Sequence, residues 1–385
     1  MTDRQQALGI LLDKIADELN ITDTMMDRAV SSYEVVGKWI GEGIDYEVCI
    51  KPQGSMNLGT VVRPIDDSDD YDMDLVCLLK DGYRLDSDEI KNIVGDRLKE
   101  NGTYREKLEQ EGKRCWTMQY NEFHMDILPC VPKEKVYLPL VSTAIRLTHK
   151  LDNGEYTPKY SDPEAYHDWF VERMNLNHNL LEKKSAYAKN ETEIDKVPTY
   201  KRRTALQKAI QLLKRHRDIM FKDNNDNAPI SIILTTLAAL SYDGENNVYT
   251  TLSKIIQSMP MHIKEYDGKY FIPNPVMMEE NFADKWNEIP EKATAFYTWL
   301  SSAQKDILEE PLKFAGIDDV ANNLASCLGE SPVKRALNKY GEEMKSSRDK
   351  GELYVNGLTG GLGAKKIASS TLVKGHTFFG KQKFY

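Results

Sequence analysis

The chain of 385 residues is poor in cysteine, and what it has is unpaired in pattern. Cys49, Cys77, Cys115, Cys130 and Cys327 are scattered, odd in number and contain no C-x-x-C. Cys49 and Cys77 fall in apolar, strand-like runs and read as buried free thiols rather than a disulfide framework. No apolar run is long enough to cross a membrane, and the start does not read as a signal peptide. Together these absences predict a protein of a reducing cytoplasm with no membrane partner. A basic surplus is also missing. The net charge of −9 argues against a dedicated nucleic-acid binder and against a long nucleic-acid substrate, though it leaves room for a local basic cleft. What remains is ordinary apolar content with charges mixed in sign, the composition of a globular protein long enough for two packed domains.

The most informative stretch is Gln53–Leu79. Tyr46, Val48 and Ile50 alternate with Glu47, Cys49 and Lys51, which predicts a strand. Gln53-Gly54-Ser55 follows, and Ser55–Thr60 can open a short helix with Ser55 as its cap. A strand that turns into a helix through Gly-Ser leaves backbone N–H groups free to meet a phosphate. Asp72–Leu79 begins polar and ends apolar, again a strand. Side chains two apart share a face, so Asp72 and Asp74 project together while Met73 and Leu75 enter the core. Asp70-x-Asp72 has the same spacing, but Asp72-x-Asp74 runs directly into the apolar strand and is preferred. Asp66, Asp67, Asp69 and Asp70 read as an acidic loop. Two carboxylates on one face repel unless a cation sits between them, and oxygen-seeking Mg²⁺ suits that place. Further on, Arg114–Tyr120, the turn Asn121-Glu122 and Phe123–Pro129 read as a hairpin whose second strand carries Asp126.

The rest of the chain reads as support or as cleft wall. Met1–Asn20 and Thr24–Glu42 are amphipathic helices, and Asp86–Gln110 is a charged helical stretch covering one face of the sheet. Thr148–Ala165 reads as a polar loop at the rim, where Tyr156, Tyr160 and Tyr166 offer rings for a base. Thr199–Phe221 is a strong helix with Leu206, Ile210, Leu213 and Met220 on its buried side and a basic remainder that includes Lys208, Lys214, Arg215 and Arg217. Ser231 opens the apolar helix that follows, as a residue of the N-cap type. Asn287–Ala315 is a further helical stretch that ends the compact part. Beyond it, residues 331–385 hold eleven Lys and Arg against four Asp and Glu and finish in a Gly-rich then aromatic end, which reads as a basic flexible tail.

Gln53-Gly54-Ser55, Asp72-x-Asp74 and the later Asp126 resemble the nucleotidyltransferase signature of the polymerase-β superfamily. Lys214 on a basic helix, Ser231 seventeen positions later, and the segment Asn274-Pro275 through Glu280-Asn281-Phe282 to Trp286 narrow the likeness. The chain resembles the cGAS/DncV-like nucleotidyltransferases (CD-NTases), which make cyclic oligonucleotide signals in anti-phage defence. The resemblance covers roughly residues 20–310, and the long acidic spacer between Thr60 and Asp72 departs from the family pattern. It implies an α/β (α+β) fold with two lobes. A polymerase-β-like lobe with a twisted mixed sheet spans 1–197, a helical lobe spans 198–330, and a basic carboxy-terminal segment spans 331–385. It implies Asp72, Asp74 and Asp126 as catalytic metal ligands, two Mg²⁺ with Mn²⁺ as a substitute, and Gln53, Gly54, Ser55, Lys214 and Ser231 as nucleotide contacts. It implies nucleoside triphosphate substrates with ATP expected first, an effector downstream of the cyclic product, and a ubiquitin-transfer-like partner at the tail. The competing expectations are a nucleotidyltransferase that modifies a protein, a small molecule or an RNA end, and a non-catalytic nucleotide-binding scaffold.

Overall fold

Alternating apolar residues in the first half of the chain build a six-stranded mixed sheet, and residues of helical period in the second half build a helical core. The computed structural model describes residues 1–66, 70–133, 143–176, 194–200, 202–356, 362–363 and 370–373.

Two helices come first, α1 (Asp3–Glu18) and α2 (Asp23–Gly41), each started by a threonine whose hydroxyl accepts from the backbone, Thr2 and Thr22. With Thr22 as cap, α2 starts at Asp23, one residue before the expected start at Thr24. The sheet then forms from β1 (Val48–Gln53), the short helix α3 (Gly54–Leu58), β2 (Tyr71–Leu79), α4 (Ser87–Glu100), α5 (Gly102–Lys107), β3 (Trp116–Gln119), β4 (Phe123–Pro132), β5 (Ile145–Lys150) and β6 (Tyr156–Ser161). Strand order is β1-β2-β4-β5-β6, with β3 also on β4. β2 and β4 run parallel, and the other pairs are antiparallel.

The period of two on β2 divides its side chains cleanly. Met73, Leu75, Cys77 and Leu79 enter a core with Tyr33, Val36 and Ile40 of α2 and Ile90, Val94 and Leu98 of α4. The other face carries Asp72 and Asp74, then Val76 in a small core with Leu128, Cys130, Ile145 and Leu147. Each such side chain contributes roughly 1.5–3 kcal/mol on burial, which fixes the register that places the carboxylates. The stretch expected as a rim loop is instead the β5–β6 hairpin followed by α6 (Pro163–Met174). Its outer strand is largely exposed, so it lacks the apolar alternation of a buried strand.

The helical core gathers α7 (Ala205–Met220), α8 (Ser231–Ser241) and α9 (Val248–Ser258). A short hairpin, β7 (Lys264–Tyr266) and β8 (Lys269–Phe271), and the pair β9 (Pro273–Asn274) and β10 (Met277–Asn281) lead to α10 (Asp284–Glu288), α11 (Glu291–Ala303), α12 (Ile317–Leu328) and α13 (Glu330–Asp349). Leu8, Leu11, Leu12 and Ile15 of α1 pack in this same core.

Two expectations are corrected here. Met220 on α7 is exposed rather than on the buried side, and Lys208, Lys214 and Arg215 of the basic remainder are themselves buried. Lys208 pairs with Asp13 and Asp17 of α1, both at 2.8 Å, and Arg215 donates to the carbonyls of Arg63 and Pro64. The compact part also does not end near Ala315. α12 and α13 bury Leu324, Leu328, Val333 and Ala336, and Arg335 and Lys339 of α13 pair with Glu18 at 2.8 and 2.5 Å. Part of the basic surplus of residues 331–385 therefore answers an acidic residue of α1. Residues beyond 373, including the aromatic end, lie outside the described residues.

Candidate active site

The strand–helix junction is tight because Gly54 takes φ 65°, the left-handed region that glycine enters at no steric cost. A Cβ on Gly54 would stand 1.8 Å from Oδ2 of Asp74. The glycine is therefore the space into which that carboxylate fits. This geometry puts the cap of α3 two residues earlier than expected. Gln53 is the N-cap, with no side-chain cap bond, and Ser55 lies inside the first turn.

Register brings the carboxylates together. Gln53 pairs with Asp74 across β1–β2, and Asp74 pairs with Asp126 across the parallel β2–β4 ladder. Asp72 lies opposite His124 on the same ladder. Asp126 is in turn opposite Thr117, whose hydroxyl donates to Asp126 Oδ1 at 2.5 Å. His124 Nε2 is 3.4 Å from Asp70 and 3.7 Å from Glu109. Of the acidic loop, residues 67–69 lie outside the described residues, while Asp66 pairs with Lys222 at 2.7 Å.

Burial pushes the Asp74 carboxyl up to about 7, helped by Asp72 and Asp126 and opposed by Lys214. Asp72 is raised as well. Its surface is open to solvent, but the surroundings of its carboxyl disfavour charge first and Asp126 second, against the pull of His124, Lys214 and Arg217. Three carboxylates on one face whose ionised forms resist one another are a donor set that Mg²⁺ relieves. Among the described residues no three His, Cys, Asp or Glu side chains are gathered closely enough to hold a metal alone. That suits Mg²⁺, which commonly takes one or two carboxylates and completes its shell with water and substrate phosphates.

The helical core faces this sheet with cations. Lys214 Nζ is buried and donates to the carbonyl and hydroxyl oxygens of Thr60, both at 3.2 Å. Burial, then Arg217, push it down to about 8, while Asp218, Asp74 and Asp72 pull the other way. Arg217, one turn on, donates to Ser231 Oγ at 2.9 Å and to the Pro229 carbonyl at 3.1 Å. It also donates to Asp218 at 2.8 and 2.5 Å. Ser231 is the first residue of α8 and not its cap, a place taken by Ile230, so its exposed hydroxyl is held by Arg217 instead.

Register and close approach thus bring Gln53, Gly54, Asp74 and Asp126 together, with Asp72 on the same face and Ser55 in the adjoining first turn of α3, while the Lys214 charge bears on Asp72 and Asp74 from α7 and Ser231 is held by Arg217. Thr117 and Arg217 join them without having been singled out. Counting the hairpin register back from Asp126 would have found Thr117, and one helical turn from Lys214 would have found Arg217. Two of the three tyrosines offered for stacking are otherwise engaged. Tyr156 donates to Glu111 at 2.5 Å, and Tyr166 is buried with its hydroxyl 2.8 Å from that of Thr236. Tyr160 stays exposed, with Lys133 over its ring at 5.3 Å. In the segment 274–286, Glu280 accepts from Asn274 at 2.8 Å and from Ser161 at 2.9 Å, linking β10 to the sheet edge.

The model of the nucleotidyltransferase domain of cyclic GMP-AMP synthase DncV-like proteins matches residues 49–129, the stretch from β1 into β4. The chain is a nucleotidyltransferase with a mixed α+β fold of that kind. It is 31% identical over 385 residues to a c-di-GMP synthase of Roseivirga ehrenbergii, covering 96% of each chain. It is 23% identical to the cyclic dinucleotide synthase CdnG of Bradyrhizobium diazoefficiens, covering 98% of this chain and 95% of that one. The solved structure of the latter organism's CD-NTase CdnG in complex with GTP matches with a TM-score of 0.63 at 20% identity, over 87% of this chain and 99% of that one. The chain belongs to the CD-NTase family, enzymes that join nucleoside triphosphates into cyclic oligonucleotides. No helix among the described residues is long and apolar enough to cross a membrane.

Proposed function

We propose that this CD-NTase makes cyclic di-GMP from two GTP molecules, through a linear dinucleotide that closes in a second round. The observation that carries the reading is the likeness to a c-di-GMP synthase along 96% of both chains, over a cleft in which Asp74 and Asp126 stand side by side. ATP, expected from the family resemblance, yields to GTP on that likeness and on the GTP held by the structural relative.

In each round a ribose hydroxyl attacks the α-phosphate of a triphosphate. An O–P bond forms, the bond to pyrophosphate breaks, and the hydroxyl proton leaves to solvent. Asp72, Asp74 and Asp126 would hold Mg²⁺ together with substrate phosphates, and the ions would supply Lewis acidity when bound. Asp126, steadied by Thr117, faces the attacking hydroxyl. Gln53, Gly54 and Ser55 bring backbone against the donor phosphates. Lys214, Arg217 and Ser231 hold the triphosphate from the helical side, so catalysis rests on positioning and charge rather than on a covalent intermediate. The product serves anti-phage signalling through an effector, and the aromatic end, Phe378–Tyr385, meets a ubiquitin-transfer-like partner.

The test is incubation of the pure protein with Mg²⁺ and the four triphosphates, singly and mixed, followed by mass spectrometry. Cyclic di-GMP from GTP alone is expected. A different base in the product removes GTP from the reading. Nucleotide transfer that occurs only onto an added protein or RNA end removes cyclisation.

A further inference from the structure

A second group of cations lies on the same face of the sheet, on the far side of Asp126 from Lys214. The β3 and β5 strands both flank β4 on the side away from β2. The amide of Lys150 at the end of β5 donates to the carbonyl of Lys113, just before β3, at 2.8 Å. His149 pairs with Thr157, and Lys159 with Leu147, so both share a strand face with Leu147 of the small core that also holds Val76 and Leu128. That is the face of Asp72, Asp74 and Asp126. Lys285 of α10 completes the group from the helical side, where Glu280 and Ser161 already tie the halves together.

Charge within the group is incompletely answered. Lys113 pairs with Asp152 at 2.6 Å and Lys285 with Glu288 at 2.6 Å. Arg114 and Lys159 are exposed and form no ion pair among the described residues, although the Lys159 charge also reaches Glu288. His149 Nδ1 is buried without a hydrogen-bond partner. Burial and then Arg114, Lys159, Lys113 and Lys285 hold the His149 imidazole below its usual value, so these cations converge on one spot. Arg114 lies three residues before Thr117, whose hydroxyl binds Asp126, and beside Lys113, whose carbonyl is bonded from β5 next to His149.

We propose that Arg114, Lys159 and His149 form a second anion subsite that takes the 5′-triphosphate of the acceptor nucleotide in the first round. This rests on the cyclase reading above. The nucleotide whose hydroxyl meets Asp126 carries its own highly charged triphosphate. The donor triphosphate, held on the Lys214 side, repels it. The Arg114–Lys159 group is the cationic surface on the opposite side of Asp126. In ring closure only one triphosphate is left, and it occupies the donor position, so this subsite stands empty in the second round.

The asymmetry between rounds is the test. Arg114→Ala/Lys159→Ala is compared with the wild type in forming linear pppGpG from GTP and in closing purified pppGpG. Both side chains are exposed, so the melting temperature should not move. The GTP concentration for half-maximal linear product should rise about tenfold for each cation removed, as for a lost charge-assisted contact. Ring closure should proceed at the wild-type rate. With GMP as acceptor and GTP as donor, variant and wild type should coincide, and Arg114→Lys/Lys159→Arg should restore the GTP dependence. Equal slowing of both rounds, or no change in either, overturns the subsite. A wild type that makes neither linear nor cyclic product from GTP refutes the cyclase reading, and the subsite with it.

Discussion

Replacing Gly54 with alanine adds one methyl group at the tightest point of the cleft. The new Cβ would lie 1.8 Å from Asp74 Oδ2, 2.6 Å from its Cγ and 3.0 Å from its Cβ. No conformer of alanine relieves this, because the atom is fixed by the backbone. Either the carboxylate moves by more than about 1 Å to regain van der Waals distance, or the first turn of α3 lifts away from β2. The φ of 65° adds a penalty of roughly 1–2 kcal/mol for a side-chain-bearing residue. A misplacement near 1 Å in a positioned site costs about 100-fold in rate, so Gly54→Ala should lower kcat by about that factor. Melting temperature should fall by about 2–8 °C, the range for a loss of this size. Gly341→Ala is the control. Its Cβ would meet nothing within 4 Å on α13, and exchange of an unstrained helical glycine stabilises by up to about 1 kcal/mol. The measurement is steady-state turnover beside thermal unfolding and nucleotide binding. Wild-type turnover in Gly54→Ala would show that Asp74 does not need its present position, and the assignment of Asp72 and Asp74 as the metal-holding pair would fall.

Asp74 carries a second prediction, in pH. Its carboxyl sits at about 7 when folded and near 3.9 when unfolded, so between those values the folded chain retains a proton that the unfolded chain has lost. Its contribution to stability therefore falls as pH rises through that window. Without divalent cations, the melting temperature of Asp74→Asn should gain on the wild type as pH goes from about 4 to 7, and a constant gap would refute the linkage. Thr117→Val removes the hydroxyl that holds Asp126 and should cut kcat about tenfold with little change in GTP binding, as expected for one charge-assisted hydrogen bond. Thr117→Ser should recover most of the rate, and equal loss in both variants would mark a packing effect.

The parts of the fold that were readable in the chain are those set by local period. Alternation around Met73 and Leu75 gave both the strand and the shared face of Asp72 and Asp74. The turn Asn121-Glu122 gave the β3–β4 hairpin that carries Asp126. What escaped was set by distant partners. The burial of the α7 charges was not legible because nothing near them in the chain reveals Asp13, Asp17 or the carbonyls of Arg63 and Pro64. The β5–β6 hairpin was missed because Gly154 and Pro158 interrupt an edge whose outward side chains are polar. Most of α13 falls in the segment 331–385 read as a basic tail, because its basic residues find their acid, Glu18, at the other end of the described residues. The same limit hid Arg217, whose role depends on where α8 begins.

The pairing of α1 with α13 has a consequence for how the protein comes into being. Lys14 meets Glu343 at 2.5 Å across 329 residues of chain. At a synthesis rate of 5–20 residues per second, α1 waits about 16–66 s for this partner to emerge from the ribosome. During that interval Leu8, Leu11, Leu12 and Ile15 await α7 and α9 of the same core, which also arrive late. The sheet with its three carboxylates, by contrast, is complete once β6 has been made. A nascent chain thus presents a finished set of acids well before the cations that face them, and a ribosome that stalls before α7 releases a half-cleft without Lys214 or Arg217. Translation to the end of the helical core therefore acts as a timer on when this enzyme can first signal.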